Sequence, residues 1–242
     1  GGSGEQTAAA DSRQNEAGSN TEAAPKTETA ATASRSWSNM SLVSSMDLLY
    51  ADQFSVDYYE NDISLITIGD TDQFLLLPED VRAVGLPDSI KILQKPVKNI
   101  YLVATSAMDD FIHLDRNGFD CALRHKDTGW YLPEAKTAME EGKIAYAGKY
   151  SAPDYEKILS SDCGLAVEST MIYHTPEVKE QLERLGIPVL VERSSYEGHP
   201  LGRMEWIRLY GVLTGKEAEA EQIFREYGRS VRCPRHGTIR KN

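Results

Sequence analysis

Positive charge is scarce in this sequence: 26 Lys and Arg stand against 37 Asp and Glu, a formal net charge of −11 over 242 residues. A surface of that sign argues against nucleic acid as a principal partner, because phosphate recognition needs concentrated Lys and Arg. Long apolar runs are also missing. No stretch approaches the roughly 18 apolar residues that a bilayer-spanning helix needs. The cysteines, Cys121, Cys163 and Cys233, are too few for a disulfide framework and lack metal-ligand spacing, so at most one pair can bridge. There is no G-x-S-x-G, no G-x-x-x-x-G-K-[ST] and no G-x-G-x-x-G, which leaves the commonest hydrolase, nucleotide and dinucleotide signatures unrepresented. The chain opens without Met and without a signal-type hydrophobic segment, and is read as processed or as carrying an appended leader.

Residues 1–36 contain no Val, Ile, Leu, Met or aromatic side chain. Such a segment cannot offset its ordering entropy by burial and is expected to be a disordered tether. Its opening Gly-Gly-Ser-Gly has two readings, an expression scar or the spacer that follows a lipidated cysteine. A long polar leash favours the second, since an anchored domain needs reach.

Order is expected from Trp37. SMDLLYADQFSVDYYE, DISLITIGD and QFLLLPE are β-rich runs separated by Asn61-Asp62 and Gly69-Asp70-Thr71-Asp72, the pattern of a short hairpin or small meander. Strands and helices then alternate. KNIYLVAT is a buried strand, with Ser106 placed to cap the helix that follows; FDCALRH, IAYAG, GLAVES and IPVLVE are four more strands. Thr175 is placed to cap a helix that has Pro176 at its first position, the apolar stripe Val178, Leu182, Leu185, and Gly186 at its end. This alternation predicts an α/β fold: a Rossmann-like, mostly parallel sheet with helices on both faces, preceded by the short β-hairpin.

In such sheets the strand carboxyl ends face the ligand crevice. Five polar junctions should therefore gather on one edge. They bring Ser106 and Met108; Trp130; Tyr150; Ser169, Thr170, Met171, Tyr173 and His174; and Arg193, Ser195, Tyr196 and His199. Any one Ser or Thr is better explained as a helix cap. The set is not, because caps do not call for Trp130, Tyr150, Tyr196 and His199. Rings with a few directional polar groups suit a polar, partly aromatic small ligand. A metal site from His174, His199 and Glu168 or Glu197 is geometrically conceivable, but scattered histidines are more often hydrogen-bonded loop residues, and no metal and no cofactor are assigned.

The run AYAGKYSAPDYEKILSSDCGLAVESTMIYHTPEVKEQLERLGIPVLVERSSYEGHPLGRMEWIRLYGVLTGKEAEAEQIF resembles the amino-terminal lobe of ABC-transporter substrate-binding proteins, in the iron-siderophore, haem and cobalamin class. The resemblance lies in the order of Gly148, then Pro153, Asp154 and Glu156 opening a short helix, the strand Leu165 to Glu168, the strand Leu185 to Val189, and Tyr210 to Glu221. FSVDYYENDISLITIGDTDQFLLLPE is similar to the hairpin that precedes the first sheet strand there. It spans about residues 46–227.

The resemblance implies one lobe of a two-lobed fold, with residues 37–213 as the lobe and 214–242 as the start of an inter-lobe helix and a basic tail. GKEAEAEQIFREYG is expected to stop at Gly228, and RSVRCPRHGTIRKN reads as a truncated or out-of-frame end. Half a site would bind ligand weakly. The expected function is an extracytoplasmic, lipid-anchored, monomeric, non-enzymatic protein that captures an iron-siderophore, haem, cobalamin or similar metal chelate and delivers it to an ABC permease. The membrane is met only through the anchor. Glu156, with Asp154 beside it, is the position that the resemblance assigns to permease docking. The alternatives are a metal-ion binding protein of the same architecture, or an enzyme on a Rossmann-like sheet.

Overall fold

The structure, a computed structural model, describes residues 33–95, 97, 99–104, 106, 107, 110, 121–123, 144–146, 148, 149, 151–160 and 162–232. The chain begins with seven strands: β1 (Ala33–Ser36), β2 (Leu42–Ser45), β3 (Phe54–Tyr59), β4 (Ile63–Ile68), β5 (Asp72–Leu77), β6 (Val81–Val84) and β7 (Ile90–Gln94). Five of them form one sheet in the order β2-β3-β4-β5-β7, antiparallel as far as β5, with β7 parallel to β5. The strand ISLITI is apolar almost throughout because both of its faces are covered. Ile63 and Leu65 pack on Leu75 and Leu77, while Ile66 and Ile68 turn to the main core.

This sheet is larger than the hairpin expected from the sequence. PEDVRAVGLPDSIKILQ holds two further strands, and the pairing of β7 with β5 is a non-local event that no alternation pattern reveals. The tether boundary also moves. Ala33–Ser36, expected in the disordered segment, runs parallel to Val81–Val84, and the Ala33 N–H donates to the Asp80 carbonyl at 2.8 Å. Backbone pairing holds it, so its small polar side chains gave no sign.

All five alternating strands form, as β8 (Ile100–Leu102), β9 (Cys121–Leu123), β10 (Ile144–Tyr146), β13 (Leu165–Glu168) and β14 (Val189–Val191). Between β10 and β13 a two-rung hairpin, β11 (Gly148–Lys149) with β12 (Ala152–Pro153), sits where a plain turn was expected. The five strands pair in parallel in the order β10-β9-β8-β13-β14. Numbered within the sheet, that order is 3-2-1-4-5, which reverses between β8 and β13. Side-chain alternation explains the layering. Tyr101, Val103, Ala166, Val189 and Val191 point to one face and meet Ile158 of α1 (Tyr155–Ser160) and Val178 and Leu182 of α2 (Pro176–Arg184). Ile100, Leu102, Leu165, Val167 and Leu190 point to the other face and join the core of α3 (Pro200–Thr214) and α4 (Glu217–Arg232).

Helix α3 is buried on nearly all sides, since it lies in a core shared by both sheets. Gly215, at φ 72°, closes it in the left-handed conformation. Gly211 lets α4 approach closely: a Cβ there would stand 2.5 Å from the Ala220 Cβ. Two sequence expectations fail at helix ends. Thr175 makes no side-chain cap to α2, although Pro176 does take the first position. Helix α4 does not stop at Gly228 but continues to Arg232, because one glycine in a helix costs only about 1 kcal/mol relative to alanine. Among the described residues no helix is long and apolar enough to cross a membrane.

Candidate functional site

The reversal of strand order between β8 and β13 is where a doubly wound sheet opens a crevice at its carboxyl edge. There the strands diverge just past a shared bond pair, as Val103 and Ala104 both donate to the Val167 carbonyl. Beyond β8 lies Ser106. Its Oγ donates to Glu192 Oε2 at 2.9 Å, and the donors that it was expected to cap, Met108 and Asp109, lie outside the described residues. Since β13 lies between β8 and β14, this bond spans the end of β13. Glu192 is buried, and its Oε1 accepts the Ser194 N–H at 2.7 Å, while its own N–H donates to the Glu168 carbonyl. One buried carboxylate thus ties the β8 and β14 loops together beneath the edge.

The turns after β13 and β14 carry the exposed groups. Ser169 caps a short 3-10 helix, Thr170–His174, by accepting the Met171 N–H at 3.3 Å. This leaves Met171 and Tyr173 outward, 47% and 53% exposed, with His174 also exposed and Thr170 half-buried. After β14, Ser194–Tyr196 forms another 3-10 turn. Ser195 is exposed and Tyr196 is 53% exposed, and the Arg193 guanidinium lies 4.5 Å over the Tyr196 ring. Arg193 Nε donates to Gln53 Oε1 at 3.2 Å, so the first sheet reaches this edge as well.

His199 also has a local structural role. Its Nδ1 accepts the Leu201 N–H at 3.0 Å as the cap of α3, and its ring stacks on Tyr50 with centroids 4.7 Å apart. Local helix chemistry accounts for it. Glu197, considered above as a metal ligand, is also engaged: it accepts the N–H groups of Asp52 and Gln53 at 2.9 Å and the Trp206 indole N–H at 3.0 Å. No group of three or more metal-ligating side chains occurs among the described residues. Met108, Trp130 and Tyr150 lie outside the described residues. Asp154 Oδ1 accepts the Lys157 N–H at 3.1 Å as a helix cap, and Glu156 is exposed in the first turn of α1.

A cavity of about 700 Å³ opens at the opposite, amino-terminal edge of the parallel sheet, beside Arg82, Lys95, Asn99, Asp162 and Cys163. Its wall mixes charges of both signs, and Lys95 is already paired with Asp62 at 3.0 Å. Burial pushes the Cys163 thiol above its ordinary pKa, which makes it a poor nucleophile. Volume alone therefore does not outweigh the strand-edge argument. The sequence reading missed Gln53 and Glu192. A carboxylate directly after the apolar run IPVLV was the available signal for the second; nothing local marked the first.

No family model matches the sequence. An uncharacterized lipoprotein of Methanocaldococcus jannaschii is 24% identical over 149 residues, which are 57% of this chain and 34% of the relative. The chain therefore covers about a third of the curated relative. Among solved structures, the triscatecholate siderophore-binding protein FeuA from Bacillus subtilis is similar at 22% identity and a TM-score of 0.44, over 58% of this chain and 46% of that one. The periplasmic heme-binding protein HutB of Vibrio cholerae is similar at 16% identity and a TM-score of 0.45, over 60% and 51%. An ABC transporter substrate-binding protein from Listeria monocytogenes is similar at 11% identity and a TM-score of 0.41, over 58% and 51%.

Proposed function

We propose that this chain is the binding component of an ABC importer, and that it holds a metal chelate at the carboxyl edge of the parallel sheet and passes it on without turnover. One observation carries the reading. In the turns after β13 and β14, at the edge where the strand order reverses, Met171, Tyr173 and Tyr196 are exposed, with Arg193 over the Tyr196 ring and Ser106 bonded to the buried Glu192. Large rings held in water on rigid turns are costly unless something covers them, and flat or ring-bearing ligands do so well. The fitting class is an iron-siderophore, a haem, a cobalamin or a similar complex. The curated relative is named a lipoprotein, and that name supports the reading of this chain as extracytoplasmic and lipid-anchored, proposed here as a monomer. Glu156 is the exposed carboxylate assigned to the permease, since Asp154 is engaged as a cap.

Titration of the full chain with ferric tris-catecholate, ferric citrate, haemin and cyanocobalamin, followed by calorimetry, tests the reading. At least one should bind saturably. Each ring contributes roughly 0.5–1.5 kcal/mol beyond the area it covers, so a Tyr173→Ala, Tyr196→Ala double variant should bind about tenfold more weakly or worse. Equal binding by the variant, or no binding of any probe, would contradict the proposal.

A further inference from the structure

Gln53 belongs to neither the parallel sheet nor its loops, yet every polar group it carries is engaged. Its backbone N–H donates to Glu197 Oε1 at 2.9 Å, and its carbonyl accepts the Gly69 N–H at 2.8 Å. Its side-chain Nε2 donates to Asp52 Oδ1 at 3.0 Å. An amide whose nitrogen faces a carboxylate must turn its oxygen the other way, because carboxylates only accept. Here that oxygen faces Arg193 Nε at 3.2 Å. The side chain that decides the direction of Arg193 is thus fixed at three other points, one of them the buried Glu197.

Arg193 is held on two more sides. Its face lies over the Tyr196 ring, and its Cδ and Nε lie 3.5 Å from the point that a Cβ on Gly69 would occupy. Its Nη1 and Nη2 make no hydrogen bond among the described residues. A guanidinium with its Nε occupied and its terminal nitrogens open is a fork for a carboxylate or a catecholate, and a preorganised fork loses less entropy on binding. In a chain of net charge −11, such an opening is not a generic feature of the surface.

We propose that Gln53 is a positioning residue of the ligand site, holding Arg193 against Tyr196 so that its open nitrogens meet an anionic group of the bound chelate. This rests on the function proposed above and extends the site to the first sheet. The test is a double-mutant cycle on the full chain, with ferric tris-catecholate as the anionic probe and cyanocobalamin alongside. Gln53→Leu keeps both backbone bonds, and its urea midpoint should match the wild type. It should weaken tris-catecholate binding about tenfold, the scale of a lost hydrogen bond to a charged group. In an Arg193→Leu background the same change should have no further effect, because Gln53 acts only through Arg193. Wild-type binding of the anionic probe by Gln53→Leu, or an effect that adds in full to that of Arg193→Leu, would overturn the inference and leave the binding function standing. Binding of cyanocobalamin alone would also overturn it. If the wild type does not bind ferric tris-catecholate, the inference falls; the function falls with it only if ferric citrate, haemin and cyanocobalamin are not bound either.

Discussion

Glu205→Ala should lower the unfolding free energy by roughly 3–5 kcal/mol, the range for removing one partner of a buried charge network. Glu205 is fully buried in α3. Its carboxylate accepts the N–H groups of Leu49 at 3.0 Å, Tyr50 at 2.7 Å and Ala51 at 2.8 Å, and Arg208 Nη1 at 2.8 Å. Arg208 in turn donates to the Asp47 carbonyl at 2.8 Å and pairs with Glu221 of α4 at 2.7 Å. One carboxylate thus anchors the segment between β2 and β3 to α3. Alanine would leave three amide donors without their acceptor, that of the buried Ala51 among them, and would remove one of the three partners of Arg208; a donor left buried costs about 1–3 kcal/mol. Glu205→Gln should also destabilise, by a smaller amount, since its NH₂ would face the donors that Oε2 now accepts. Urea denaturation measures both. A loss under 1 kcal/mol for Glu205→Ala would show that the loop does not depend on this anchor.

Trp206→Ala should cost roughly 3–5 kcal/mol, the range for truncating a large buried aromatic. Trp206 is fully buried, packs edge-to-face on Phe54 of β3 at a centroid distance of 4.9 Å, and lies 6.4 Å from Tyr210. Its indole N–H donates to Glu197, which leaves both backbone donors of Asp52 and Gln53 on that carboxylate after the change. Trp206→Phe retains most of the apolar area and loses the donor, so it should fall well short of the alanine effect. The ordering separates packing from hydrogen bonding. If phenylalanine were as damaging as alanine, the Glu197 bond rather than the packing against the first sheet would be the dominant contribution.

The parallel sheet was legible because its strands are short apolar runs bounded by turn residues, and because β-α alternation restricts the topology. Pairings between distant segments were not. Strand β7 is partly exposed and polar at Lys91 and Gln94, so it carries no strong strand signal, yet it completes the first sheet. At the site, the turn after β13 was legible from ESTMIYHT, where the exposed Met171 and Tyr173 sit. His199 shows why single residues are hard to assign: capping and ligand binding call on the same residue types, and the Leu201 N–H contact gives it the first role. Gln53 and Glu205 act across 140 and more residues of sequence, and no local pattern encodes that. The lone carboxylate within the apolar run of PLGRMEWIRLYGVLT was nevertheless a visible exception, and buried carboxylates need several donors.

The central claim is that ligand meets the carboxyl edge of the parallel sheet rather than the cavity at its opposite end. Methionine methyl resonances of the full chain, recorded while a ferric chelate is added, test it directly, because a paramagnetic iron broadens nearby signals steeply with distance. Met171 stands at the proposed edge, whereas Met204 packs on the main core and Met40 on the outer core of the first sheet. The Met171 methyl signal should be lost first during titration with ferric tris-catecholate or haemin, while Met40 and Met204 remain sharp. Broadening of Met40 ahead of Met171, or an unchanged Met171 signal at saturating chelate, would contradict it.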